Sequence, residues 1–417
     1  MTKVVMLDRL VSELGPGQRI YLPGSAGEPI GLVRAFLEDA ERTRNLDLTT
    51  TAIPGINPLS LDHLHDTARV TGLFMQPAFK AAQRSGQFRH LPVPYSGFTR
   101  HLHESPVFDT CIVHVSPPDT RGLCSLGPAV EFTPIVFERA RRVVAIVNPQ
   151  LPAIPGSEAI AFDRIDLAAE VDEPLRDYDA GRSNEESTRI ASRIAGFVED
   201  GAALQVGLGK VPNALFSLLH DRRGLRLHSG MLSDGVITLS ATGALDPSFP
   251  PTSCVWVGTH RLYEWLRGRN GINVLDCKRT HGARSLGALD KFIAVNSALS
   301  VDLFGQCNLE IAARAMVSGV GGAPDFARAA RHSKGGVSII ALPSSYGGGT
   351  KSRIVPRFGD EMVSLARTDV DVICTEHGAA DLRGKSAHER AEALIAIAAP
   401  QHRAVLEAAW REMASRI

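Results

Sequence analysis

CIVHVSPP at 111–118 and RVVAIVNP at 142–149 set the architecture of this chain. Each is a short run rich in β-branched residues that stops at a proline-containing turn. That is the mark of a strand covered on both faces rather than one alternating between core and water. IYLPG at 20–24 is a third run of the same kind. Helix-like stretches at 31–40 and 133–142 lie between them. Buried strand, helix, buried strand in this rhythm specifies an α/β domain with a mostly parallel sheet.

The rhythm breaks at DEPLRDYDAGRSNEE, 172–186, which is polar and has no apolar period, so it reads as a linker. A helix over 187–199 follows, apolar at Ile190, Ile194, Phe197 and Val198. The strand pattern then restarts with ALQVGLG (203–209), CVWVG (254–258), GVSIIALP (336–343) and VDVICTEHG (370–378). An amphipathic helix pair over 387–416 closes the chain. Two α/β domains are therefore expected, 1–180 and 181–417, with no internal repeat. In such folds ligands bind where strands give way to loops.

Bulk properties exclude several classes. Lys plus Arg and Asp plus Glu both number 45, so no basic excess points to nucleic acid and no acidic excess to a basic partner. The six cysteines, Cys111, Cys124, Cys254, Cys277, Cys307 and Cys374, show neither a Cys-x-x-Cys pair nor zinc spacing with histidine. Reduced buried thiols are expected, without a disulfide framework or a metal site. MTKVVMLDRL reads as no secretory signal, and no long uncharged apolar stretch would span a bilayer. The expectation is a cytoplasmic protein with no membrane partner.

Four loops could carry chemistry. In the first, Gly207 and Gly209 precede Lys210 and Pro212 at a strand-to-helix turn, where close backbone approach and free helix N–H groups suit an anion. In the second, Gly319, Gly321 and Gly322 stand beside Ala323, and consecutive N–H groups there can form an oxyanion hole or phosphate nest. A plain tight turn is the alternative. The third, Leu227-His228-Ser229-Gly230-Met231-Leu232-Ser233-Asp234, gathers a histidine, two serines and an acid, although proximity in sequence does not make a triad. The fourth places Glu376 and His377 at the end of a buried strand.

Together these segments resemble the acetyl-CoA hydrolase/4-hydroxybutyrate CoA-transferase family. SPPDTRGLCSLG (116–127), VVAIVNPQLPAIPG (143–156), LQVGLGKVPNAL (204–215) and LHSGMLSDGVITL (227–239) are similar to family segments. So are VDLFGQCNLE (301–310), VSGVGGAPDF (317–326), SRIVPRF (352–358) and VICTEHGAADLRGKSAHERAEALIAIA (372–398), and the blocks keep the family's order. The resemblance implies a CoA-transferase-like fold with its active site between the two halves and coenzyme A as part of the substrate or product. It also implies a carboxylic acid as a second substrate and a homo-oligomer.

The resemblance further implies covalent chemistry that this chain lacks the group to perform. Relatives carry His-Ser-Glu in the third loop, and the glutamate attacks the thioester to form a glutamyl-CoA intermediate. Here the string is His228-Ser229-Gly230. Relatives carry Gly-Gly-Gln where this chain has Gly321-Gly322-Ala323, a string similar to one in the α subunit of malonate decarboxylase. Loss of the glutamate is expected to leave a small void able to hold water. The expected activity is then hydrolysis of a thioester or of a β-dicarbonyl CoA ester, with His228, Glu376 and His377 as candidate bases. Direct attack by an acceptor carboxylate, and acyl-CoA binding without catalysis, are the alternatives.

Overall fold

A computed structural model describes residues 2–416. The chain forms two compact units. The first runs through Asp179 and takes in Pro251–Thr280 and Val317–Gly321 as later returns of the chain. The second consists of Ala180–Pro250, His281–Met316 and the chain from Gly322 onward.

The first unit is built on an eight-stranded sheet in the order Lys3–Val5, Leu167–Glu170, Arg142–Val147, Thr110–Val115, Arg19–Leu22, Asp47–Thr50, Arg69–Gly72, Phe88–His90. Every neighbouring pair is parallel. The three runs read from sequence supply three strands, and Thr110–Val115 is buried along its whole length, as helices on both faces of a parallel sheet require. The helix expected over 133–142 is shorter, Thr133–Phe137, and a turn over 138–141 leads from it to the strand that begins at Arg142.

The second unit has a six-stranded sheet in the order Arg226–Leu227, Ala203–Val206, Phe292–Ser297, Val337–Ala341, Val372–Thr375, Gly378–Asp381. Its first five strands are parallel and the last is antiparallel. The helix after the polar stretch starts at Glu185, two residues before the expected position. Asn184 accepts from the Ser187 N–H while the Ser187 hydroxyl accepts from the Asn184 N–H, a capping box that fixes the start. The terminal helices, Ala387–Ala396 and Pro400–Ala414, bury Leu394, Leu406 and Trp410 with the strand residues Ile340 and Ile373.

CVWVG does not join the second sheet as expected. Only Val255–Trp256 is extended, and the segment belongs to the first unit. Its main chain is committed there, with Val130 N–H donating to the Cys254 carbonyl at 3.0 Å and Trp256 N–H to the Pro128 carbonyl at 2.7 Å. All six cysteines are buried, and none forms a disulfide among the described residues. No helix among them is long and apolar enough to cross a membrane.

Candidate active site

The third loop grows directly out of a strand pair. Arg226–Leu227 lies parallel to Ala203–Val206, with Leu227 opposite Leu204. The ladder continues one step, His228 N–H donating to the Leu204 carbonyl at 3.1 Å. The buried Ser229 hydroxyl then donates to the Val206 carbonyl at 2.9 Å. This hydroxyl ties the loop to the end of the neighbouring strand and so holds Gly230 at the carboxyl edge of the sheet.

What lies beside Gly230 corrects the expectation of a void. A Cβ on this residue would stand 3.0 Å from His281 Nε2 and 3.3 Å from Phe326 Cε2, tighter than ordinary van der Waals contact. At the Cβ position of residue 230 the neighbours in tight contact are an imidazole and a phenyl ring. The same imidazole meets the glycine loop, since a Cβ on Gly322 would fall 2.5 Å from His281 Nε2 and 3.0 Å from Phe326 Cε2. Gly322 leads into the helix Ala323–His332, which has Pro324 in its first turn. Phe326, on that helix, packs on His281 with ring centroids 4.6 Å apart and is itself seated among Leu286, Phe292 and Ala330. Gly230 and Gly322, singled out separately in the sequence, are thus brought against one ring.

His281 was not legible as a site residue, because it lies in no motif. It is 2% exposed, and burial, with a smaller contribution from the His228 imidazole, lowers its pKa to about 3. The ring is neutral at any ordinary pH.

The glycine loop begins in the first unit. Met75 N–H donates to the Ser318 carbonyl at 3.3 Å and Tyr95 N–H to the Gly321 carbonyl at 3.2 Å. Gly321 has φ +56° beside Phe74, a conformation that suits glycine. Tyr95 leads to a second residue missed in the sequence. Glu131, buried and at φ +44°, accepts from the Thr51 hydroxyl at 2.8 Å. Burial pushes its carboxyl up to about 7, against the opposing pull of the Thr51, Ser25 and Tyr95 hydroxyls. Ser25 is also left-handed, at φ +47°. Two non-glycine residues in this conformation around one buried carboxyl mark a locally strained polar cluster.

The charge state of Glu131 has a measurable consequence. Its folded pKa is raised above the ordinary 4.5, so between 4.5 and about 7 the folded protein binds the extra proton. Stability from this group is therefore present at low pH and lost as pH rises through that window. Relative to the parent, Glu131→Gln is expected to gain up to about 3 kcal/mol between pH 4.5 and 7.5 in urea unfolding. A difference that does not change with pH would mean that the carboxyl is ionised throughout.

The other named residues occupy two further places in the second unit. Gly209, at φ +126°, precedes the helix Lys210–Leu218, with Asn213 N–H donating to its carbonyl at 3.1 Å. Pro212 is buried in the first turn, Lys210 is exposed, and Gly207 faces open space. Glu376 accepts from the Ser344 N–H at 2.9 Å and from the Ser344 hydroxyl, and lies 3.4 Å from His377 Nε2. Nearby Glu186 has its pKa raised by burial and by Glu376, with Arg353 and His377 opposing. Glu376 is therefore a positioned carboxylate in a mixed-charge cluster, built on contacts different from those around Gly230.

The whole chain can be matched to known proteins. Residues 1–202 match the acetyl-CoA hydrolase/transferase N-terminal domain and residues 258–410 the C-terminal domain of the same family. The 4-hydroxybutyrate coenzyme A transferase of Clostridium kluyveri is 32% identical over 410 residues, 96% of this chain and 95% of that protein. The chain belongs to the acetyl-CoA hydrolase/transferase family.

Among solved structures, RipA from Yersinia pestis is similar with a TM-score of 0.90 and 30% identity, covering 99% of this chain and 97% of that one. An acetyl-CoA hydrolase from Eremothecium gossypii is 25% identical over 353 residues, 72% of this chain and 65% of that protein. The acetyl-CoA hydrolase/transferase family thus includes enzymes of both names, and its members act on CoA thioesters.

Proposed function

We propose that this protein cleaves an acyl-CoA thioester without passing through a glutamyl-CoA intermediate, and that water is the acceptor. The observation that carries the reading is Gly230 with His281 Nε2 against it. A glycine offers no nucleophile, and the space a longer side chain would use is taken by a neutral ring. In the reaction, a water oxygen bonds to the thioester carbon, the carbon–sulfur bond breaks, and the products are a carboxylic acid and CoA thiol. Main-chain N–H groups at the start of the helix Ala323–His332 are the candidate donors for charge on the carbonyl oxygen. Glu376 and His377 are the candidate bases that the solvent can reach, since both are less buried than His228.

The relatives named as CoA transferases favour one second reading, direct attack by an acceptor carboxylate. Free thiol followed over a panel of acyl-CoAs, with and without added carboxylates, separates the two. Thiol release in the absence of an acceptor is the expected result. Acyl exchange without thiol release would replace hydrolysis by direct transfer. CoA binding with neither would remove the catalytic reading altogether.

A further inference from the structure

We infer that a cavity in the second unit is a binding site for a small apolar zwitterion, a free amino acid of leucine's kind. Arg314 and Arg353 hold its carboxylate, and Asp360 and Glu361 hold its ammonium group. The inference goes beyond the thioester reading and does not depend on it.

Access and size are the first argument. The cavity encloses about 470 Å³, and small-molecule sites typically enclose about 300–1,000 Å³. It lies between the start of the strand Ser300–Asp302, the hairpin of Ile311–Ala312 with Ala315–Met316, and the segment from Ser352 to Glu361. Its lining residues all belong to the second unit, and none is a contact of Gly230 described above. Arg314, Tyr346 and Asp360 line it and are exposed, so it is reached from solvent.

Charge is the second. Two guanidiniums and two carboxylates line this one cavity, yet among the described residues no ion pair within 4.0 Å joins any of them. Glu361 accepts from the Gly359 N–H at 2.9 Å through one oxygen only. Glu186, which feels the Arg353 charge, is not part of the lining. An anion alone would suit the arginines and be repelled by the acids, and a cation alone would meet the reverse. A ligand carrying both charges suits all four groups.

The third is how the arginines are held. Arg314 sits with Ala313 in the two-residue turn of the hairpin, at φ +63° and +47°. Glycine and asparagine favour such turns, so two other residues there store strain, a mark of functional placement. Arg353 is fixed by a 2.8 Å bond from Nη1 to the Leu299 carbonyl and lies 4.9 Å from the Tyr346 ring centroid. Its Nε is buried without a partner among the described residues. Leu299, Ile311 and Val355 supply an apolar wall for the body of the ligand.

The test is calorimetric titration of the full-length protein with leucine, with isocaproate, which lacks the ammonium group, and with isoamylamine, which lacks the carboxylate. Leucine is expected to bind, and each single-charge analogue to bind at least about tenfold more weakly. Arg314→Gln and Asp360→Asn, both at exposed positions, should each weaken leucine by about tenfold. Isocaproate should be weakened by Arg314→Gln and not by Asp360→Asn, and added CoA should not displace leucine. Isocaproate binding as tightly as leucine would make the cavity a plain anion site and overturn the assignment. Displacement of leucine by CoA would overturn it by placing the cavity within the thioester's own site. Absence of leucine binding would overturn it by showing the four charges to be ordinary solvated surface.

Discussion

Gly230→Glu alone is expected to destabilise the protein and to yield no covalent adduct, whereas Gly230→Glu combined with His281→Ala is expected to fold and to form one. The single change drives a side chain into a place where even its Cβ would stand 3.0 Å from His281 Nε2 and 3.3 Å from Phe326. Overpacking of a filled site costs about 1–3 kcal/mol. A negative carboxylate confined beside a buried neutral imidazole adds a desolvation cost. Removing the imidazole opens the volume that the glutamate needs. The carboxylate can then attack the thioester carbon and release CoA thiolate from an acyl-glutamyl anhydride, and attack of that thiolate on the glutamyl carbonyl expels the acid and leaves CoA attached to residue 230. Thermal unfolding and intact-mass measurement after incubation with acyl-CoA check both halves. If Gly230→Glu melts like the parent, the imidazole is not fixed where the structure places it.

Gly319→Ala is expected to produce the largest stability loss of any single methyl addition in the glycine loops. A Cβ there would fall 2.1 Å from the Leu73 carbonyl oxygen and 3.2 Å from the carbonyl carbon. Both atoms belong to backbone, which has no rotamer to escape into. That backbone is held by the strand Arg69–Gly72, which ends one residue earlier, and by the Met75 N–H to Ser318 carbonyl bond. The loss is expected at or above the upper end of about 1–3 kcal/mol. Gly207→Ala is the matched control: nothing lies within 4 Å of its Cβ position, and the unfolding midpoint should hardly move. Equal effects from the two changes would show that close packing does not distinguish the loops.

Much of the architecture was written in local sequence. A strand buried on both faces must be apolar along its length, so CIVHV and RVVAIV declared themselves, and a parallel sheet followed from the helices between them. Gly209 and Gly321 were legible for a similar reason. A positive φ is a property of one residue's backbone, and glycine is the residue that adopts it without strain. The family was legible because its segments are contiguous strings in a fixed order.

The interior of the site was not legible in the same way. His281 sits between Gly230 and Gly322 because three segments distant in sequence pack together, and no period or string records which side chain fills the space beside a glycine. The expectation of a void at 230 failed on this point: deletion of a side chain is a local fact, while occupancy of the vacated volume is a tertiary one. That the Ser229 hydroxyl donates to the Val206 carbonyl is likewise a contact between segments that no local string records. Glu131 gave no sequence signal because its raised pKa comes from burial, and burial of a carboxyl among Ser25, Thr51 and Tyr95 exists only once those residues have been assembled. The sequence by itself determined which segments are strands, which backbone positions need glycine, and the family to which the chain belongs. Only the tertiary structure decided that Pro251–Thr280 and Val317–Gly321 return to the first unit, and that a histidine occupies the place in front of Gly230. The division follows from range: periodicity and backbone conformation act over a few residues, whereas packing, desolvation and the contents of a site depend on groups that the chain brings together only by folding.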